Sequence, residues 1–148
     1  MKRSQRTNVW ETNSSAVHAL AIDKSGLEPC KLPMKDGYII TDFGNFGAYS
    51  LNKVCFDQAT KLSYIATECY YLNHMDDSIE DFYTWKYVED AICGYTGARG
   101  IRIMKNVQPE INHQELPYYD LHFCNAYDDD SVINFVFNKY VGINFTHD

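Results

Sequence analysis

The chain holds only 4 prolines and 8 glycines in 148 residues, too few for a collagen-like repeat or a flexible low-complexity linker. It has no CxxC pair. Its 5 cysteines, Cys30, Cys55, Cys69, Cys93 and Cys124, are widely spaced and odd in number, which argues against a secreted disulfide framework and for reduced thiols in a cytoplasmic setting. No apolar run approaches the ~20 residues needed to span a bilayer, and the basic opening MKRSQRTNVW lacks the apolar stretch of a signal peptide, so no membrane contact is expected. No Lys or Arg falls between Lys105 and Lys139. With 13 basic residues against 20 acidic ones, a net charge of −7, the chain lacks the basic face that direct nucleic-acid binding requires. HExxH, GxSxG and GK[ST] are absent too, so no zinc-protease helix, hydrolase elbow or phosphate loop is recognisable.

What is present suits a packed core: 45% hydrophobic and 15% aromatic residues in a length typical of one domain spanning 1–148. The 12 tyrosines stand out, because a large apolar ring with a polar tip serves a wet recognition surface as well as a core. Acidic residues gather in two stretches. Asp76, Asp77, Glu80, Asp81, Glu89 and Asp90 face Lys86 alone, and Glu110, Glu115, Asp120, Asp128, Asp129 and Asp130 fill the interval without basic residues. These are either solvated faces or a negative patch complementary to a basic groove. On the second reading Asp76, Asp77, Asp81, Glu115, Asp128, Asp129 and Asp130 are the partner-binding candidates.

Periodicity predicts strands at Arg6–Trp10 and Val17–Ile22 around a polar ETNSS turn, a surface loop over 23–37, and a strand at Tyr38–Phe43. From Asp57 the period turns helical through Leu62, Ile65, Ala66, Cys69 and Leu72, ending near Asn73. Ser78 with Asp81 resembles a capping box opening a second helix through Ile79, Phe82, Trp85, Val88 and Ile92 that stops at Gly94. GIRIMKNV alternates as a strand with Ile101 and Ile103 on one face. The section 108–130 reads as loop with a short strand at Leu121–Cys124. Asp130 or Ser131 then caps a third helix whose Val132, Ile133, Val136 and Phe137 share a face, and Val141–Phe145 forms a last strand. The sum is an α+β fold: a single compact domain with a small mixed or antiparallel sheet and two to three helices.

In ETNSSAVH, the side chains of Asn13, Ser14 and Ser15 either cap a tight corner or orient a ligand while His18 offers an imidazole nitrogen. His74 follows the first helix, where a cation suits the helix dipole. His113, in the polar turn INHQE, is a ligand or acid–base candidate, and His147 lies at the end of the chain. A metal site would assemble from distant segments: His18 and His113 first, Asp42 third, then Cys69, Cys93 or His147, a mixed set that suits zinc.

Three stretches, ETNSSAVHAL, DFGNFG followed by the KLSYIAT helix, and INHQE ahead of FVFN, together resemble a family of small proteins of bacteriophages and prophages of Gram-positive bacteria. Ala16 and Asn45 depart from that pattern, which usually continues the serine run and carries Glu. The chain is also similar in kind to type II-A anti-CRISPR proteins. The resemblance implies a non-enzymatic anti-defence protein, a monomer or small oligomer in the cytoplasm of the host bacterium, that inhibits Cas9 or its guide-RNA complex by binding it. The basic channel for guide and target strands would meet the acidic, tyrosine-rich surface, and a zinc held by His18 and His113 would be structural. The alternative, drawn from the residues, is a metal-dependent or acid–base enzyme acting on a nucleotide or small phosphorylated ligand through His18, His113 and Asp42 with the Asn13–Ser15 turn.

Overall fold

The computed structural model describes residues 9–11, 24–46, 54–111, 121 and 123–144; the strand expected at Val17–Ile22 and the Asn13–Ser15 corner lie outside them. Through the centre runs α1 (Gln58–Leu72). It begins where Asp57, in extended backbone, accepts from Thr60 N (2.9 Å) and Thr60 Oγ1 (2.8 Å), and it ends at Asn73. The stripe Leu62, Ile65, Ala66 and Cys69 is buried as its spacing demands, and so are Lys61, Tyr64, Thr67 and Glu68 on the remaining faces. A helix covered on nearly every side is a core strut, not a surface helix.

The second helix opens later than the capping pattern suggests. Ser78 gives its backbone N–H (2.9 Å) and hydroxyl (2.8 Å) to the Asp76 carboxylate, so the hydroxyl caps nothing; Ile79–Asp81 make one 3-10 turn, and extended Phe82 (φ −78°, ψ 126°) separates it from α2 (Tyr83–Thr96). Gly94 lies exposed inside α2 instead of ending it. The stop is Gly97, whose φ of 80° lets its N–H reach Cys93 O at 2.8 Å. Trp85, Val88, Ala91 and Ile92 form the buried face of α2. In α3 (Asp129–Phe137) the cap is Asp128, two or three positions before the residues expected: its Oδ1 accepts from Asp130 N (3.0 Å) and Ser131 N (3.4 Å). α3 buries Val132, Phe135, Val136 and Phe137, while Ile133 is half-buried.

The described strands are short and form three small sheets where one was expected. In chain order they are β1 (Val9–Glu11), β2 (Met34–Lys35), β3 (Tyr38–Thr41), β4 (Asn45–Phe46), β5 (Val54–Cys55), β6 (Gly100–Ile103), β7 (Glu110–Ile111) and β8 (Gly142–Asn144). β8 lies between β1, which is parallel to it, and β5, which is antiparallel. β3 pairs antiparallel with β2 and parallel with β6, and β4 is parallel to β7. The 23–37 segment is therefore not all loop: Asp36 (φ 56°) and Gly37 (φ 82°) both take left-handed backbone in a two-residue hairpin turn between β2 and β3. At 121–124 the described residues form no strand. Leu121, Phe123 and Cys124 are all buried instead of alternating, with the Phe123 ring 5.3 Å from Tyr64 and 6.1 Å from Phe135.

The polar side chains of α1 hold the irregular segments around it. Gln58 accepts from Lys31 N (2.6 Å) and donates to Pro29 O (3.0 Å), Ser63 donates to Asp42 O (2.8 Å), Thr67 accepts from Gly44 N (2.8 Å), and Tyr71 donates to Pro109 O (3.2 Å). Lys61 is the extreme case. Its fully buried Nζ donates to Asn138 O (2.9 Å) and Val141 O (2.7 Å), tying α1 to the end of α3 and the turn into β8. Burial pushes the Lys61 pKa down to about 7, against the pull of Asp57 and Glu28.

A lysine in the unfolded chain titrates near 10.4, so above pH 7 the unfolded state keeps a proton that the folded state has released, and stability rises with pH. The buried thiols of Cys69 and Cys124, held well above their usual range, act oppositely once unfolded cysteines ionise near pH 8.5. Urea unfolding should therefore show a net climb in stability of about 0.5–1 kcal/mol between pH 7 and 8.5, and Lys61→Met should abolish that climb. An unchanged slope in Lys61→Met would assign it to another group.

Candidate functional site

Four residues on α2, Tyr83, Lys86, Tyr87 and Asp90, recur at three- and four-residue steps on the side away from Trp85, Val88 and Ile92, and all four are exposed. α2 packs on α3, and this pairing brings a third tyrosine onto that face. A turn places it: Asn125 Oδ1 accepts from Tyr127 N (3.0 Å), Asn125 O accepts from Asp128 N (3.1 Å), and Asn125 N donates to Ser131 Oγ (2.9 Å). The Tyr127 ring then stacks on Tyr83 (6.3 Å, 19°) and meets Tyr87 edge to face (4.7 Å, 75°), with its hydroxyl 3.2 Å from Thr84 Oγ1. Tyr83, Tyr87 and Tyr127 remain 53%, 49% and 42% exposed. Three large rings packed on one another yet open to water form the kind of patch that marks an interaction surface.

Exposed acidic residues of both stretches adjoin this patch along the chain. Asp81 stands two residues before Tyr83, Asp90 one turn beyond Tyr87, and Asp128, Asp129 and Asp130 directly after Tyr127. The last three lie at the N-terminus of α3, where the helix dipole favours negative charge. Lys86 is the basic residue among the four outward positions on α2. Other members of the stretches have different tasks: Glu89 accepts from Ile101 N (2.8 Å), and Glu80 pairs with Lys105 (2.9 Å). Asp76 and Asp77 are exposed in the loop after α1. The backbone and hydroxyl of Ser78 hold the Asp76 carboxyl below its ordinary range.

His18, His113, His147 and Glu115 lie outside the described residues. Asp42 is inside them and half-buried. Its carboxylate accepts from Phe43 N (2.7 Å) and from Asn106 N (3.0 and 3.1 Å), closing the end of β3 against the loop after β6. Burial, reinforced by the charge of Glu68, pushes the Cys69 thiol well up, and burial with Glu89 and Asp90 raises that of Cys93, so neither readily supplies a thiolate. Among the described residues no group of three or more His, Cys, Asp or Glu side chains is placed to hold a metal ion. The sequence marks the tyrosine excess as a recognition signal without naming these three positions. Tyr83 and Tyr87 were detectable as an outward i, i+4 pair opposite an apolar stripe, whereas Tyr127 joins them only through the α2–α3 contact.

No protein-family model, curated protein or solved structure matches the chain. No helix among the described residues is long and apolar enough to cross a membrane. What fold and face together define is an α+β protein that presents an aromatic patch adjoined along the chain by acidic residues.

Because Asp128 alone caps α3, Asp128→Ala should lower stability by about 1 kcal/mol in urea unfolding. Asp129→Ala or Asp130→Ala should cost roughly half of that or less. Equal losses at all three positions would show that the cap does not carry the difference.

Proposed function

We propose that the chain is a non-enzymatic binding protein that engages a basic partner through the α2–α3 face, and that this partner is a host nuclease of the Cas9 type, inhibited in the manner of a phage anti-defence factor. The observation that carries the reading is the set of three half-exposed tyrosines in which the Tyr127 ring meets those of Tyr83 and Tyr87, flanked along the chain by exposed acidic residues from two segments remote in sequence. Tyrosine gives a large contact area at low entropic cost and accepts a lysine or arginine over its ring face. The adjoining carboxylates steer a basic surface toward it and penalise an acidic one. A nuclease that holds guide and target strands in a positive channel offers that complement, and occupying the channel blocks the strands without any catalytic group.

Binding to guide-loaded Cas9, measured by calorimetry, should weaken steeply as salt rises. Tyr87→Ala should weaken it at least about tenfold, in line with a central aromatic anchor. Asp128→Asn/Asp129→Asn/Asp130→Asn should also weaken it, with the α3 cap preserved by the asparagine. Tyr140→Ala, at the opposite end of α3 and 49% exposed, serves as the neutral control. Full affinity in a Tyr83→Ala/Tyr87→Ala variant would overturn the face, and no binding by the native chain would overturn the partner.

A further inference from the structure

Beside the tyrosine patch a pocket of 430 Å³ opens between the end of α1, the 3-10 turn and the start of α2, walled by Asn73, His74, Ser78, Asp81, Phe82 and Tyr83. It exists because the chain reverses abruptly after α1. His74 and Met75 both take left-handed backbone (φ 58° and 60°), a conformation costing about 1–2 kcal/mol per residue.

Three features of the wall share one electrostatic sign. The 15-residue α1 brings the negative end of its dipole there. Asp81 adds an exposed carboxylate. Phe82 and Tyr83, edge to face at 5.2 Å, contribute π faces that attract cations. No Lys or Arg is among the described residues lining the pocket, and Lys105 is held by Glu80 at 2.9 Å. A guanidinium fits this combination better than an ammonium, because its fork of donors matches a carboxylate while its flat face lies on a ring. The same fold already seats guanidinium groups on a tyrosine: Arg102 lies 3.9 Å and Arg99 5.1 Å from the ring centre of Tyr38.

Resting on the binding reading above, we propose that this pocket receives an arginine side chain from the partner's basic surface, with Asp81 as its carboxylate and Tyr83 as the ring it shares with the recognition face. The test is an amide NMR titration of the full chain with N-acetyl-arginine methylamide and, separately, with its lysine counterpart. Saturable shifts are expected at the amides of 72–74 and 78–83, with the arginine probe binding about tenfold more tightly than the lysine probe. Asp81→Asn should weaken the arginine probe by about tenfold, while Asp36→Asn, in the hairpin turn between β2 and β3, leaves it unchanged; the dispersion of each variant's own spectrum reports that it is folded. No saturable shift, equal affinity for the two probes, undiminished binding in Asp81→Asn, or saturation by inorganic phosphate in place of arginine would each overturn the proposal. A free amino-acid derivative reads the pocket without the nuclease, so loss of Cas9 binding and loss of arginine binding are separate results.

Discussion

The buried amino group of Lys61 is the constraint on which the arrangement of the helices depends. A polar group taken out of water survives only with hydrogen-bond compensation, and carbonyls at a helix C-terminus need donors as much as the amino group needs acceptors. Lys61 Nζ, on Asn138 O and Val141 O, satisfies both needs at once. Asn138 is itself buried and saturated: its amide donates to Asn134 Oδ1 (2.8 Å), its Oδ1 accepts from Tyr140 N (2.9 Å), and it bridges Leu27. The end of α3 can therefore occupy one position relative to α1. With that end fixed, the start of α3, and with it Tyr127, is held against α2.

The same logic extends along α1. Strands of two to four residues supply few ladder bonds, so the backbone of the segments between them must find partners elsewhere. Gln58, Ser63, Thr67 and Tyr71 provide them, Gln58 at Lys31, Ser63 and Thr67 at Asp42 and Gly44, and Tyr71 at Pro109. Asp42 does similar work from the end of β3, its half-buried carboxylate accepting from Phe43 N and Asn106 N. Polar groups inside this protein thus specify where irregular backbone lies, while the apolar cluster around Trp85, Ile65 and Phe135 supplies the bulk of the burial.

Periodicity made the helices legible where it was strong and uninterrupted. The stripe from Leu62 to Leu72 located α1 almost to its caps, and Ile101 with Ile103 located β6. Boundaries failed where a local side chain chose another partner. Ser78 bonds to Asp76, so the second helix opens at Tyr83, and Asp128 reaches the α3 amides before Asp130 or Ser131 can. The Asp36-Gly37 dipeptide is a hairpin signal, but the prolines and glycines around it give the whole 23–37 segment the composition of a loop. Lys61 and Glu68 were illegible because a charge in a helix normally points outward, and only the helices, strands and loops packed around α1 bury them. Of the site, the acidic stretches were visible in the sequence. Their meeting across three tyrosines was not, since it depends on α2 lying against α3.

Function on this account belongs to a surface that the core holds in place. Three rings and the carboxylates beside them in the chain are fixed by a cap, a turn and a helix pair, so recognition draws on groups already ordered before the partner arrives. Hydroxyl-radical footprinting of the full chain, free and with guide-loaded Cas9, reads that surface directly. Tyr83, Tyr87 and Tyr127 should lose reactivity together while Tyr140 keeps its own; protection at Tyr140 with the three unchanged would contradict the account.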